Sequence, residues 1–219
     1  MLEPDLTRER LLCAAIDIFA THGYLGASTR EICQLANVGN ASIHYHFGDK
    51  RTIYRELYLR LLDDFEARMR GVGIENLSGR DALFAYFMAL MRPLAEDTHV
   101  ANQVYLHLRE EFQPSGIVDD LQPRSLLLQF ELLGELLQRE LNMRKPDASL
   151  HRLVLGIHGL ALIYIVKGRS IAQALPGQMD GPNWLERLAT HLSYTGWGMV
   201  EHERRRRAAT ARKKRLQVA

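Results

Sequence analysis

The chain has 219 residues, 47% of them hydrophobic and 25% charged, with a net charge of +2. That apolar share is ample for one large or two small globular cores and excludes a disordered chain. Its two cysteines, Cys13 and Cys33, stand outside any C-x-x-C spacing, which excludes a disulfide framework or zinc module and fits a reducing cytoplasm.

The start "MLEPDLTRER" is polar and charged where a secretory signal needs an apolar run, so no export is expected. Apolar residues then recur at spacings of three and four almost throughout, with no sustained alternation, and the predicted fold class is all-α. The first helix is expected to open at Thr7 as N-cap, carry Leu12, Ala15, Ile16 and Phe19 inward, and stop at Gly23 as a left-handed cap. Ser28-Thr29-Arg30-Glu31 has the capping-box pattern, so a short second helix starts there with Ile32, Leu35 and Ala36 on its apolar side. Cys13 and Cys33 fall near the apolar positions of these two helices and read as packing residues rather than redox sensors.

"NVGN" breaks the second helix, because Asn37 and Gly39 tolerate turn conformations. A third helix is predicted from about Asn40 to His46, with Ile43 and Phe47 inward. Gly48 and Asp49 end it and cap a fourth over Lys50 to Arg70. Beyond "GVGIEN", helices are predicted at about 78–92, 98–113, 121–142, 148–173 and 182–207, separated by Pro93, "QPSG", Pro146 and "PGQMDGPN". The most apolar run, Leu153 to Val166, is shorter than the roughly 20 residues that cross a bilayer and reads as a buried helix. Residues 201–219 hold eight Lys or Arg against two Glu, so this end carries +6 and the first 200 residues −4. Such a basic end suits a polyanion and equally suits a merely solvated terminus.

Three helices in about 45 residues, the last two short and joined by a glycine-containing turn, have the form of a helix-turn-helix. The stretch "TRERLLCAAIDIFATHGYLGASTREICQLANVGNASIHYHFGDKRTIYREL" resembles the DNA-binding domain of the tetracycline-repressor (TetR) family of bacterial regulators. The resemblance covers residues 7–58. It rests on Gly23-Tyr24 after the first helix, Ser28-Thr29 before the second, Ile32-x-x-x-Ala36-x-Val38 into the turn, and Tyr45-His46-Phe47 followed by Gly48-Asp49-Lys50. It implies that Ser28 and Thr29 meet a phosphate and that Arg30 reaches a phosphate or a guanine edge. It further implies that Asn40, Ala41, Ser42 and His44 face bases or nearby backbone, and that Tyr45, His46 and Lys50 hold phosphates. The chain departs from the family pattern at Gly39-Asn40, where serine and a basic residue are frequent, and at His44, where tyrosine is. Asn40 has two readings, adenine recognition or capping of its own helix.

His44 and His46 invite a metal reading, but residues two apart on a helix point about 200° apart, so one ion cannot take both from that helix. No nucleophile or carboxylate pair surrounds them at a catalytic spacing. Neither metal nor cofactor is expected, and the chain does not read as an enzyme.

In the larger part, "HLREEFQPSGIVDDLQP" from His107 to Pro123 is unusually polar, and its Arg-Glu before a proline loop resembles the C-terminal domain of one TetR subfamily. The alternative is a surface helix end with ordinary salt bridges. Tyr86, Phe87, Met91, Tyr105, His107, Arg109, His158 and Tyr164 mix aromatic and polar groups as a small-effector cavity requires, although such residues at helical spacing also build cores. Gly156, Gly159, Ala161, Gly196 and Gly198, with Leu160, Tyr164, Trp197 and Met199, suit close helix packing in a dimeric four-helix bundle. The expected organisation is a helix-turn-helix domain at 1–50, a helical effector-binding and dimerisation domain at 51–203 and a basic tail at 204–219. The expected function is a cytoplasmic, homodimeric DNA-binding regulator, a repressor released from its double-stranded operator by a small molecule. The alternatives are a helical small-molecule-binding protein or enzyme and a less specific nucleic-acid binder that uses the basic tail.

Overall fold

The computed structural model describes residues 4–96 and 98–218. Among these residues the secondary structure is helical throughout: α1 (Pro4–Gly26), α2 (Thr29–Leu35), α3 (Ser42–Phe47), α4 (Lys50–Arg70), α5 (Gly79–Met91), α6 (Thr98–Phe112), α7 (Gln122–Glu140), α8 (Ala148–Ala174) and α9 (Trp184–Val218). Short 3-10 turns lie at Ile74–Asn76 and Arg92–Leu94. The chain forms two compact units, Met1–Ala67 with Pro93–Ser125, and Arg68–Arg92 with Leu126–Ala219. These divisions fall within α4, between α5 and α6, and within α7.

The core of the first unit is built by α1, α2, α3, the first part of α4, α6 and the loop after it. Leu11, Leu12, Ala15, Ile16 and Phe19 of α1 meet Ile32 and Cys33 of α2, Ile43 and Phe47 of α3, and Ile53, Tyr54, Leu57 and Tyr58 of α4. Burial of a side chain of this size stabilises by roughly 1.5–3 kcal/mol, which is why two helices as short as α2 and α3 persist. α1 begins at Pro4, so Thr7 lies inside the helix and is not its cap. Proline at a first helical position lacks the amide that would otherwise go unpaired there, which explains the earlier start. Gly23, at φ 69°, kinks the chain where a stop was expected. Leu35 is exposed, and Cys33 fills the inward position beside Ile32, because the seven-residue α2 buries only one narrow stripe. Cys13 is also exposed, on the side of α1 away from that core, so only Cys33 is a packing residue.

In the second unit α5 packs mainly on α9, and α8 on both. Leu83, Tyr86, Phe87 and Met91 of α5, Leu133 and Leu137 of α7, Ile157 and Ala161 of α8, and Ala189 and Val200 of α9 are fully buried. Gly196 admits Leu83, whose Cδ1 would lie 3.3 Å from an added Cβ, and Gly156 admits Met199 at 2.7 Å. These two small residues therefore serve packing within the chain. The apolar run at 153–166 is part of the 27-residue α8, long and apolar enough by length and composition to cross a membrane. Only 33% of its most apolar window is buried, so the expected buried helix keeps one apolar side uncovered in this chain.

α9 extends to Val218, well past the predicted end near 207, and the basic end is helical. Its root is tied down. Arg207 grips both oxygens of Asp147, the N-cap of α8, at 2.9 and 2.8 Å, Arg206 pairs with Glu203 at 2.7 Å, and Arg204 donates to the Glu140 carbonyl at 2.9 Å.

The kink at Gly23 tests the packing of the first unit. Gly23→Ala must hold a left-handed φ and set its Cβ 2.7 Å from Nε of Arg109, and it should destabilise by about 1–3 kcal/mol in urea unfolding. Gly39→Ala, where an added Cβ meets nothing within 4 Å, should stay within about 0.5 kcal/mol of wild type.

Candidate nucleic-acid interface

Ser28 caps α2 from an extended conformation, at φ −110° and ψ 135°. Its Oγ accepts from the Arg30 amide at 3.2 Å, and Glu31 accepts from the Ser28 amide at 3.2 Å. The capping box thus holds the start of α2 in one geometry. Ser28 and Thr29 are half-buried there and Arg30 is exposed.

The turn into α3 uses Asn37, not Gly39, as its left-handed residue, at φ 51°. Cys33 Sγ lies 3.8 Å from the Asn40 carbonyl and anchors the turn from below. α3 starts at Ser42, two residues later than predicted, and its N-cap is Ala41 without any side-chain cap bond. The Asn40 amide is therefore not used as a cap, and the side chain is exposed. Ile43 and Phe47 turn into the core, which presents Asn40, Ala41, His44 and Tyr45 to solvent and leaves Ser42 and His46 half-buried. Tyr45 is 79% exposed, high enough that its ring contributes almost nothing to the core. It meets His46 edge-on at 4.9 Å.

Below this surface α4 is capped by Asp49, whose Oδ1 accepts from the Thr52 amide at 2.7 Å; that bond holds the carboxyl below its usual range. Lys50, the first residue of α4, donates to the carbonyls of Tyr24 at 2.8 Å and Ala27 at 3.0 Å and lies 4.6 Å over the Tyr24 ring. Its ammonium is therefore a structural tie as well as a half-exposed cation. Arg8 stacks on Phe47 from the other side, its guanidinium 5.2 Å from the ring centroid, and pairs with Glu56. Salt bridges of this kind, including Arg60 to Glu9 at 2.6 Å, join α1 to α4.

A second group was not foreseen as a unit. Glu110 on α6 is 2% exposed. It accepts from the Tyr54 hydroxyl through one oxygen and from the Ser115 amide at 3.0 Å through the other. Its neighbour Arg109 donates to the carbonyls of Ala20 at 3.0 Å and Thr21 at 2.9 Å, capping the last turn of α1 before the kink. One turn away, Tyr58 lies 2.8 Å from His107 Nδ1, and His107 Nε2 lies 3.3 Å from the Ser125 hydroxyl. Burial raises both tyrosines well above the usual phenol range and lowers His107. The Arg-Glu segment is thus no ordinary surface helix end. Its dense polar sequence was the signal, but the tyrosine partners more than 45 residues away were not visible in it.

The eight residues considered for effector binding are distributed over both units. Tyr105, His107 and Arg109 belong to the first, and Tyr86, Phe87, Met91, His158 and Tyr164 to the second. Tyr86, Phe87 and Met91 are fully buried, while His158 and Tyr164 are partly exposed, and the Tyr86 hydroxyl lies 2.9 Å from His158 Nδ1. On α8, Leu155, Leu162, Ile163 and Val166 form an exposed apolar stripe around Gly159, whose added Cβ would meet nothing within 4 Å. Beside it a groove of about 450 Å³ runs between α8 and α9, lined among others by Arg152, Leu153, Thr195, Gly198 and His202.

A family model described as "Bacterial regulatory proteins, tetR family" matches residues 11–57. A second, described as "HTH-type transcriptional dual regulator CecR, C-terminal domain", matches residues 79–197, more than half of the chain. The HTH-type transcriptional repressor AcnR of Corynebacterium glutamicum is 36% identical over 74 residues, 34% of this chain and 37% of AcnR, so the likeness spans little more than a third of that relative. The negative regulator of the biofilm operon icaADBC, IcaR of Staphylococcus aureus, is 22% identical over 140 residues, 64% of this chain and 75% of IcaR. Among solved structures, the fatty acid degradation regulator FadR of Bacillus halodurans shares the fold, with a TM-score of 0.62 at 19% identity over 88% of this chain and 95% of that one.

The double duty of Lys50 separates it from Tyr45. Lys50→Ala removes two hydrogen bonds from a cation to main-chain carbonyls and should cost about 1–2 kcal/mol in urea unfolding. Tyr45→Ala, at a surface position, should change stability by no more than about 0.5 kcal/mol.

Proposed function

From the premise that the chain belongs to the tetR family of bacterial regulatory proteins, DNA-binding transcriptional regulators, we propose that it represses transcription as a homodimer and leaves its operator when a small molecule binds. The observation that carries the DNA reading is the α3 surface, where Asn40, Ala41, His44 and Tyr45 are exposed on a helix whose other side is locked into the core. Ser42 and His44, with Asn40 released from capping, are the proposed base readers; the exposed Asn40 amide suits the N6/N7 edge of adenine. Ser28, Thr29, Arg30, Tyr45, His46 and Lys50 are the proposed phosphate contacts, which position the helix without reading sequence.

A second copy of the chain is the proposed occupant of the α8 stripe and the groove beside α9. Helix-turn-helix readers bind two half-sites, and a two-fold axis through a self-complementary helix pair supplies them. Gly159 and Gly198, both open, are the small residues that would admit the partner's helices, whereas Gly156 and Gly196 are already filled from within. The small-molecule effector is proposed to engage the second unit through the partly exposed His158, which meets the Tyr86 hydroxyl, and through Tyr164 further along α8. The cytoplasm is the proposed location, as the compartment that holds a bacterial operator.

Binding to a duplex selected by the wild-type chain from random-sequence DNA tests the first part. Tyr45→Ala should weaken binding to all sequences alike while leaving the salt slope unchanged, because a neutral hydroxyl releases no counterion, whereas Ser42→Ala and His44→Ala should alter preference among sequences by about 1–3 kcal/mol per read base. If Tyr45→Ala and Lys50→Ala bound like wild type while removal of residues 204–219 abolished binding, the basic end and not α3 would carry the function. For the dimer, Leu162→Glu with Ile163→Glu should shift sedimentation from two copies to one, and an unchanged two-copy species would exclude this face.

A further inference from the structure

The Arg109-Glu110 pair lies on α6, outside the helix-turn-helix, yet Arg109 bonds the end of α1 that leads into α2 and Glu110 bonds α4, the helix that Lys50 begins. Arg109 caps α1 at Ala20 and Thr21. The chain then turns through Gly23, and the next carbonyls, Tyr24 and Ala27, are those that hold Lys50. Ala27 directly precedes Ser28, the cap of α2. Glu110 holds α4 through Tyr54, one turn beyond Lys50, and Tyr54 in turn packs edge-on against Phe19 at 4.7 Å and meets Tyr24 at 5.0 Å. The glycine that permits this approach cannot be replaced without displacing Arg109.

We propose that Arg109 and Glu110 are positioning residues for DNA binding: from α6 they hold the start of α2 and the Lys50 turn of α4 at the separation that lets both meet phosphates of one backbone. The proposal rests on the phosphate contacts assigned above. It follows from connectivity. A carboxylate buried to this degree requires donors on both oxygens, so Tyr54 and Ser115 hold α4 and the α6 end in one register. Arg109 transmits that register to α1, and the Lys50 bonds close the circuit from Tyr24 and Ala27 back to α4. A change that loosens the pair leaves the α3 side chains intact, so it alters how many phosphates are met and not which bases are preferred.

The test uses the full chain and the selected duplex described above, with binding measured across a salt series. Tyr54→Phe keeps the ring and removes only the hydroxyl, and Arg109→Met removes the cap on α1. Both should weaken binding and make the plot of log affinity against log salt shallower by roughly one contact, with the ranking of duplex sequences unchanged. Arg109→Met combined with Lys50→Ala should lose less than the two separate losses together, because both act on the same turn. If the variants only lower the melting temperature, the folded fraction keeping the wild-type salt slope and the losses adding, the pair is structural and the proposal is overturned. Should Arg109→Met fail to fold, Tyr54→Phe decides the question alone. A wild-type slope for Lys50→Ala itself would instead overturn the phosphate assignment beneath the proposal.

Discussion

Glu110 is a carboxylate taken out of water, and the first compact unit is arranged around meeting its two oxygens. A buried charge left without partners costs several kcal/mol, so a donor must arrive at each oxygen. Tyr54 arrives from α4 and the Ser115 amide from the loop that follows α6. That loop can fold back because Gly116, at φ 74°, reverses it, and Ile117 and Val118 then enter the same core as Phe19 and Ile53. Once α6 is fixed in this way, Arg109 falls on the end of α1, and the short helices α2 and α3 inherit their placement from that end.

The surface this produces divides two kinds of work among neighbouring residues. Ile43 and Phe47 commit α3 to the core, and only then do the remaining side chains acquire a common outward direction. Lys50 belongs partly to each side, as a cation near the surface and as the donor that closes the α1–α2 connection. At the opposite end of the chain, charge and availability part company. Three of the four consecutive arginines at 204–207 are engaged with Glu140, Glu201, Glu203 or Asp147. The basic run therefore offers a polyanion fewer free cations than its composition suggests, and its root fixes α9 to the capped start of α8.

Local rules were readable wherever one turn of chain satisfied its own backbone. The Ser28 and Glu31 capping box and the limits of α4 at Lys50 and Arg70 depend on residues within about four positions of each other. Inference from local sequence failed where a neighbour distant in the chain chose the buried side. Leu35 and Cys33 are both apolar enough to face inward on α2, and packing against α1 and the turn selected Cys33. Cys13 sits beside buried residues in sequence and outside them in space. The extension of α9 past residue 207 was missed because arginine and lysine are good helix formers that a composition reading assigns to a solvated tail.

By itself the sequence determined the all-helical class, the helix-turn-helix segment, and the Ser28 and Asp49 caps of α2 and α4, because helical period and capping are short-range properties of the chain. Only the tertiary structure decided that Asn40 is free of capping duty, that Lys50 is shared between stability and surface, and that Glu110 is buried beneath Tyr54. It also separated the glycines already filled by Met199 and Leu83 from the two that stand open. Each of these depends on which atoms meet across dozens of intervening residues, and a hydrogen-bond partner or a covered face at that distance leaves no mark on local periodicity.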